Sequence, residues 1–199
     1  MNNNTELTLD YYNKQAENFS AGTQKINFSV IQDEFCSFIP KNGHILDLGC
    51  GAGRDSKAFL NAGYKVTAID GSDELCKVAS EFIGQNVICS TFQEYIPTDT
   101  FDGVWACATL LHLSYDDIVD VMNKLSDKLN HGGCFYASFK YGDFSGVRNG
   151  RFFQNMTEEE FSNLLDKMPN YKIISSKVTS DVRPGREEEK WLNIFLKRI

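Results

Sequence analysis

Short segments rich in apolar and β-branched residues recur along the middle of the chain, each about as long as one strand. They lie at residues 44–48, 64–70, 86–92 and 101–107, and in the second half of 130–139. Between them, the patterns at residues 56–62 and 73–82 are compatible with helices. Strands that alternate with helices predict a parallel sheet with helices on both faces. The hydrophobic pattern therefore favours an α/β fold.

Further helical patterns lie on either side of this alternating region. Residues 7–23 and 28–39 are predicted as two helices that precede the sheet. Beyond the alternating region, Thr157 and Glu160 have the spacing of a capping box, in which each residue bonds to the backbone amide of the other. We therefore predict another helix from Thr157 to about residue 168.

The last part of the chain departs from the alternation. Residues 141–156 are polar and rich in glycine, and they are predicted as an irregular loop. Residues 171–179 and 190–197 are predicted as the last two strands, and the turn-rich segment 180–189 joins them into a hairpin. We therefore expect an antiparallel edge on an otherwise parallel sheet.

Length, composition and charge limit the possible functions. The 199 residues, 42% of them hydrophobic, fit one domain of ordinary α/β size. A net charge of −7 argues against a nucleic-acid partner, because the overall field would repel a polyanion. No apolar run has the length of a membrane helix, and the first six residues lack the features of a signal peptide. We expect a cytoplasmic monomer or weak dimer without a membrane partner.

The cysteines and histidines indicate neither disulfides nor a metal site. Six cysteines are scattered without a C-x-x-C pair, and most lie in apolar elements, so they are interpreted as reduced hydrophobic residues. The three histidines lie far apart in the sequence. We therefore predict that no metal is bound.

The first strand runs directly into three glycines at alternate positions, Gly49, Gly51 and Gly53, which follow Asp47. Glycine tolerates positive φ and has no side chain, so backbone can approach a ligand closely where a helix begins. The dinucleotide motif G-x-G-x-x-G is absent, because Arg54 stands at its third glycine. The segment indicates a nucleotide-binding loop of another kind, or else an ordinary tight turn between strand and helix.

A second acidic residue ends the next predicted strand. Asp70 lies about twenty residues after the first glycine, where a carboxylate can accept hydrogen bonds from ribose hydroxyls. Its alternative role is to cap the following helix, although Ser72 and Asp73 could do so themselves. Asp70 supports nucleoside binding but does not identify the cofactor, because a nicotinamide-dependent enzyme would have the same acidic residue.

Four segments in order resemble the class I S-adenosylmethionine-dependent methyltransferases. The D-x-G-x-G-x-G sequence from Asp47 is similar to motif I, and residues 91–94 to the segment beside the adenine. Residues 101–113 resemble motif IV, and residues 130–139 resemble motif V. The resemblance covers nearly the whole chain, closest to small bacterial methyltransferases of the tellurite-resistance and thiopurine type.

The resemblance implies a fold and an activity. The fold would be a Rossmann-like sandwich, with a mostly parallel seven-stranded sheet, an antiparallel C-terminal hairpin and helices on both faces. Its single domain would have an N-terminal helical lid (1–40), a cofactor-binding core (41–140) and a substrate-side loop, helix and hairpin (141–199). The protein would transfer a methyl group from S-adenosylmethionine to a small-molecule acceptor by in-line displacement, releasing S-adenosylhomocysteine.

The resemblance also implies a set of cofactor-binding residues. The glycines would line the loop, Asp47 would orient it or hold the methionine amino group, and Asp70 would bind the ribose. Phe92 and Gln93 would flank the adenine, and Arg54 would contact the cofactor carboxylate or form a surface ion pair with its acidic neighbour. The complete set is Asp47, Gly49, Cys50, Gly51, Gly53, Arg54, Asp70, Gly71, Phe92, Gln93, Cys107 and Leu111.

Candidate residues for the methyl acceptor lie outside these motifs. His112, just past motif IV, is the candidate general base, or else a partly buried residue that orients the loop. Tyr11 and Tyr12 are expected either to cover the site as an aromatic lid or to pack the first helix onto the sheet. Lys140 and Tyr141 end the fifth strand, at the edge where open α/β sheets bind ligands.

Arginines near the end of the chain indicate an anionic acceptor, because their planar guanidinium groups match carboxylates. Arg148 in the loop and Arg183 in the last hairpin are the candidates for this contact. The alternative is that the three glutamates at residues 187–189 neutralise the nearby arginines at the surface.

Three other functions are compatible with the motifs. A non-catalytic protein that binds S-adenosylmethionine or S-adenosylhomocysteine would have the same loop and the same fold. A nicotinamide-dependent oxidoreductase would share Asp70 but would lack its usual third glycine at Arg54. An interaction module with a vestigial site would have its pocket blocked by its own side chains.

Overall fold

The computed structural model describes residues 3–199, in which strands and helices alternate. The strands are β1 His44–Leu48, β2 Lys65–Asp70, β3 Ile88–Cys89, β4 Phe101–Ala106, β5 Leu129–Lys140, β6 Ser145–Arg148, β7 Arg151–Gln154, β8 Tyr171–Ser180 and β9 Lys190–Arg198. The α-helices are α1 Asn3–Thr23, α2 Ser29–Ser37, α3 Arg54–Asn61, α4 Asp73–Ile83, α5 Tyr115–Ser126 and α6 Glu158–Leu165. A 3-10 helix spans Leu110–His112.

Seven strands form one sheet in the order β3-β2-β1-β4-β5-β9-β8. The strands β1 to β5 are parallel to their neighbours, whereas β9 is antiparallel to both β5 and β8. The order reverses between β1 and β4, and a crevice forms at the carboxyl ends of strands at such a point. The predicted Rossmann-like sandwich with an antiparallel C-terminal hairpin is confirmed.

Helices cover both faces of the sheet because successive strand residues point to opposite sides. Leu46 and Leu48 of β1 join a buried cluster with residues of α5 and α6, while Ile45 joins a second cluster with residues of α2, α3 and α4. In the second cluster, the ring of Trp105 stacks on that of Tyr136 with centroids 4.1 Å apart. The same alternation directs Asp47 toward the α3 side of the sheet.

The third strand is much shorter than the sequence predicts. Only Ile88–Cys89 pairs with β2, instead of residues 86–92. A turn follows at Thr91, whose Oγ1 accepts a hydrogen bond from the Glu94 amide at 3.3 Å and whose carbonyl accepts one from the Tyr95 amide at 2.9 Å. The prediction is wrong because a local side-chain hydrogen bond competes with continued strand pairing.

The segment predicted as an irregular loop contains a hairpin, so this prediction is also wrong. Strands β6 and β7 pair antiparallel around Asn149 and Gly150, whose φ angles are 51° and 75°. Positive φ at both central residues defines the type I′ turn, which suits a two-residue hairpin and prefers Asn-Gly. The polar composition of the segment concealed this local signal.

The predicted helices form, with shifts of a few residues at their ends. Helix α1 begins at Asn3 rather than at residue 7, and α3 begins at Arg54 rather than at residue 56. Helix α6 ends at residue 165 rather than near 168 and has the predicted capping box. In this box, Oγ1 of Thr157 accepts from the Glu160 amide at 3.2 Å, and the Thr157 amide donates to Oε2 of Glu160 at 2.7 Å.

Replacement of Thr157 by alanine should lower the free energy of unfolding by about 1 kcal/mol, because the Glu160 amide loses its side-chain acceptor. Urea denaturation followed by circular dichroism measures this change. Ser162→Ala, at an exposed position of the same helix, is the control and should change stability by less than about 0.5 kcal/mol. Equal losses in the two variants would contradict the capping role.

Candidate functional site

A cavity of about 990 Å³ lies at the carboxyl ends of β1, β2 and β4. Its volume is near the upper end of the range for small-molecule sites, about 1,000 Å³. Helix α1, the β6–β7 hairpin and the turn between β8 and β9 contribute its outer walls. The predicted site residues on its walls are Tyr12, Gly49, Cys50, Gly51, Arg54, Asp70, Gly71, Phe92, Gln93, Cys107, Leu111, His112, Lys140, Tyr141, Arg148 and Arg183.

Three predicted site residues, Tyr11, Asp47 and Gly53, are not on these walls. Tyr11 lies behind Tyr12, with ring centroids 5.5 Å apart, and its ring lies 4.2 Å from Cζ of Arg151. It therefore supports the neighbouring side chains instead of covering the cavity. Phe19, a third aromatic residue of the same helix, lines the cavity.

Asp70 fixes the glycine loop to the beginning of α4. Its Oδ2 accepts a hydrogen bond from the Gly51 amide and its Oδ1 accepts one from the Ser72 amide, both at 2.9 Å. A carboxylate has about four acceptor positions, so these two hydrogen bonds leave part of its acceptor capacity unused. Burial raises the pKa of Asp70, and hydrogen bonding from the Ser72, Gly51 and Gly71 amides opposes that rise.

The space beside the loop glycines is filled mainly by other side chains of the protein. All three have positive φ, between 55° and 83°. A Cβ at Gly49 would lie 2.5 Å from Oγ1 of Thr109, and one at Gly53 would lie 2.8 Å from Cγ2 of Ile83. At Gly51, which lines the cavity, a Cβ would meet the Phe19 ring at 3.0 Å. The expectation that missing side chains admit a ligand is therefore corrected for Gly49 and Gly53.

Asp47 lies below the loop and holds the beginning of α3. The Ser56 hydroxyl donates a hydrogen bond to its Oδ2 at 2.5 Å. Burial raises the pKa of Asp47 to about 8, and the negative charge of Asp55 adds to the rise. Of the two roles that the resemblance implies for Asp47, this geometry favours orientation of the loop.

Arg54 forms an ion pair with its acidic neighbour, but the pair is buried instead of lying at the surface. Nε and Nη2 of Arg54 each donate to one oxygen of Asp55 at 2.8 Å. Asp55 also accepts hydrogen bonds from Gln32 Nε2 at 2.7 Å and from Trp105 Nε1 at 2.9 Å. Burial alone would raise the pKa of Asp55, but the charge and hydrogen bonds of these partners outweigh it and lower that pKa.

His112 is hydrogen-bonded through both ring nitrogens. Its Nδ1 lies 2.7 Å from the Phe152 carbonyl oxygen and its Nε2 lies 2.9 Å from the Tyr12 hydroxyl. A carbonyl oxygen can only accept, so Nδ1 carries the proton and Nε2 accepts from Tyr12. Burial lowers the pKa of His112 to about 4; the Phe152 carbonyl opposes this, and the positive charge of Arg151 adds to it.

Most cations on the walls already have acidic partners. Lys140 pairs with Glu189, and Arg183 forms two bonds to Asp181, which was not considered from the sequence. Burial would raise the pKa of Asp181, but the Arg183 hydrogen bonds lower it to about 2. Neutralisation by the glutamates at residues 187–189, the alternative considered from the sequence, is seen for Arg186, whose Nη1 lies 3.7 Å from Glu189. Arg183 instead is neutralised within its own turn.

Several functional-site residues carried no usable sequence signal. Ala108, at the cavity wall, has φ of 54°, and its amide donates to Oγ of Ser138 at 2.8 Å. Positive φ is costly for a residue with a Cβ and is found most often at functional sites. Asp55 was considered only as an ion-pair partner, since its bonds to Gln32 and Trp105 depend on the assembled fold.

Within residues 3–199, no helix has the length and apolar character needed to cross a membrane. The same residues bring together no group of three His, Cys, Asp or Glu side chains that could hold a metal ion.

Sequence comparison relates this chain to methyltransferases. Residues 45–133 match the model of a family described as a methyltransferase domain. An uncharacterized methyltransferase of Staphylococcus carnosus is 27% identical over 157 residues, which is 75% of this chain and 74% of the relative. Residues 45–133, which match the family model, contain the glycine loop, Asp70 and His112.

Solved structures of methyltransferases share the fold over nearly the whole chain. One is the 1,6-didemethyltoxoflavin-N1-methyltransferase of Burkholderia thailandensis, bound to 1,6-didemethyltoxoflavin and S-adenosylhomocysteine, with a TM-score of 0.76, 19% identity and coverage of 98% and 88% of the two chains. Another is magnesium protoporphyrin IX methyltransferase of Synechocystis with bound S-adenosylhomocysteine, with a TM-score of 0.69, 16% identity and coverage of 96% and 97%. The family match and the relative make this chain similar to methyltransferases, and the solved structures show that it shares the fold of S-adenosylmethionine-dependent methyltransferases.

Replacement of Asp47 by asparagine should change how stability depends on pH. Because the pKa of Asp47 rises from 3.8 to about 8 on folding, its stabilising contribution is full below pH 3.8 and is lost as the pH rises toward 8. Asparagine is neutral throughout, so the stability of Asp47→Asn relative to wild type should increase from pH 5 to pH 8. Urea denaturation at both pH values measures this.

Asp120→Asn, which removes an exposed charge of α5, is the control for a general effect of net charge. A stability difference between Asp47→Asn and wild type that is the same at pH 5 and pH 8 would contradict the raised pKa.

Proposed function

We propose that this methyltransferase acts on a small-molecule acceptor that binds in the same cavity as S-adenosylmethionine, and that the acceptor is an anion. One observation carries the proposal: a single cavity joins the loop around Asp70 to the walls formed by Tyr12, His112 and Arg148. Its volume of about 990 Å³ is enough for two small ligands side by side. The Burkholderia relative in fold holds a small heterocycle together with S-adenosylhomocysteine, which supports this reading.

The residues at the inner end of the cavity fit the cofactor. Asp70 has acceptor positions available for the two ribose hydroxyls, beyond those used by the Gly51 and Ser72 amides. Phe92 offers an apolar ring for the adenine, and the exposed Gln93 offers hydrogen bonds. Bound S-adenosylmethionine supplies an electrophilic methyl group on a sulfonium, which is transferred by in-line displacement.

The protein's own contribution to the reaction is orientation and, where needed, acceptance of a proton. Tyr12 donates its hydroxyl proton to Nε2 of His112 and accepts a long hydrogen bond, 3.3 Å, from Nη1 of Arg151. One lone pair of the Tyr12 oxygen stays available for an O–H or N–H of the acceptor. A proton given up to Tyr12 can pass on to Nε2 of His112, while the Phe152 carbonyl holds the imidazolium through Nδ1.

A non-catalytic protein that binds the cofactor or its product is the second candidate. The measured turnover of thiol, phenol and carboxylic acid panels, together with analysis of any co-purified ligand, separates it from an enzyme. The cavity argues against a vestigial module, because such a module would have its pocket blocked by side chains and this one encloses about 990 Å³.

Asp70→Asn should weaken binding of S-adenosylhomocysteine by about 1.5 to 3 kcal/mol, because charge-assisted hydrogen bonds become neutral ones. Isothermal titration calorimetry measures the change. Glu74→Gln alters an exposed acid of the adjoining helix and should leave affinity within about twofold. No heat from wild-type protein at millimolar ligand would reject the proposed cofactor site, and equal affinity in Asp70→Asn would reject the ribose role.

His112 should stay neutral down to about pH 5 and gain its proton near pH 4, since burial lowers its pKa to about that value. Nitrogen NMR of the ring measures both the titration and the tautomer. Tyr12→Phe removes the donor to Nε2, so the Nε2 resonance should shift while Nδ1 keeps its proton. An acceptor found by the turnover panels should show an acid limb near pH 4 and lower kcat in Tyr12→Phe. Protonation of His112 near pH 6.5 would refute the buried arrangement.

A further inference from the structure

Two arginines face each other across the tip of the β6–β7 hairpin. Arg148 and Arg151 are directly paired in the antiparallel register, on either side of the Asn149–Gly150 turn. Directly opposed side chains have Cβ atoms about 4.5–5.5 Å apart, and like charges at such positions destabilise a hairpin. The pair therefore has an unfavourable electrostatic energy unless an anion lies between or beside the two guanidinium groups.

Within residues 3–199, no carboxylate forms an ion pair with either of these two arginines. Neither Arg148 nor Arg151 has a carboxylate within 4.0 Å in the part of the chain that the structure describes, in contrast to Arg54, Lys140 and Arg183 on the same cavity walls. Their guanidinium groups contact rings instead. Both lie over Phe153, with Cζ at 5.2 Å and 5.0 Å from the ring centroid, so both are on one side of the hairpin.

Two buried polar atoms of residues that line the same cavity also have no partner. Within residues 3–199, Nε of Arg151 and Oδ1 of Asn155 are buried and form no hydrogen bond. Asn155 is only 8% exposed, yet it lines the cavity together with the two arginines. A buried polar atom without a partner destabilises the fold, so such atoms in a native structure require an explanation. A ligand that supplies both an acceptor and a donor would satisfy them.

We propose that Arg148, Arg151 and Asn155 form a binding subsite for the carboxylate of the methyl acceptor, and that this acceptor is an aromatic acid with a hydroxyl or N–H beside its carboxylate. The proposal rests on the function proposed above and names its substrate class. The planar fork of a guanidinium matches the two oxygens of a carboxylate, and the adjacent donor would bond to Oδ1 of Asn155.

The surroundings of the subsite favour a flat ring and a fixed orientation. Tyr12 and Phe153 line the cavity beside the arginines and provide faces against which an aromatic ring packs. Nη1 of Arg151 also donates to the Tyr12 hydroxyl. An acceptor held at Arg151 by its carboxylate therefore lies next to the Tyr12 hydroxyl.

Calorimetry with salicylate, in the presence of S-adenosylhomocysteine, tests the subsite. Salicylate carries a hydroxyl beside its carboxylate; benzoate lacks the hydroxyl, and salicylamide lacks the charge. Wild-type protein should bind salicylate about tenfold more tightly than either analogue, and added sodium chloride should weaken the binding. Arg148→Gln and Arg151→Gln should each weaken salicylate binding about tenfold or more. Asn155→Leu should bind salicylate and benzoate with similar affinity.

Arg186→Gln is the matched control, because Arg186 lines the same cavity but is paired with Glu189. It should bind salicylate within about twofold of wild type. Among the described residues, the Arg148 guanidinium group contacts the rings of Phe144 and Phe153, so its variant should keep the wild-type S-adenosylhomocysteine affinity.

The outcomes separate the subsite from the proposed function. No salicylate binding at millimolar concentration, or equal binding in wild type, Arg148→Gln and Arg151→Gln, would overturn the subsite even if S-adenosylhomocysteine binds. Salicylate binding that depends on these arginines, in a protein that binds no S-adenosylhomocysteine, would support an anion site and reject the methyl-transfer function instead.

Discussion

The two hydrogen bonds from backbone amides to the Asp70 carboxylate are the constraint on which the rest of the site depends. They tie the glycine loop to the beginning of α4, and thus join two parts of the chain that a parallel sheet only brings near each other. A carboxylate can do this from the end of β2 because neighbouring parallel strands finish at the same edge of the sheet. Asp70 itself also lines the cavity.

A second set of bonds joins the cofactor side of the cavity to its outer wall. His112 follows β4, yet one ring nitrogen is bonded to Tyr12 of α1 and the other to the backbone of β7. The Phe152 amide in turn donates to Oγ1 of Thr8 at 3.2 Å. Helix α1, the 3-10 helix and the hairpin are therefore held as one unit, and the arginines of the hairpin keep a defined position relative to the reacting groups.

The sequence was sufficient to predict the glycine loop and Asp70, but it was insufficient to predict the partners of the charged side chains. The glycine loop and Asp70 could be found because each follows a buried strand and their separation is set by one β-α-β unit. The Asn149–Gly150 turn was equally local, and it was missed because residues 141–156 as a whole are polar and rich in glycine. The partners of Asp55 and the compensation of Arg183 by Asp181 could not be inferred, since several nearby acids offered the same charge and only the fold selects among them.

Helix α1 covers both halves of the cavity. Leu9 lies against Gly71, Oδ1 of Asn13 accepts a hydrogen bond from the Ser72 hydroxyl at 2.6 Å, and Tyr12 faces the outer wall. Because one helix contacts both halves, any displacement of α1 as a unit exposes both halves of the cavity at the same time.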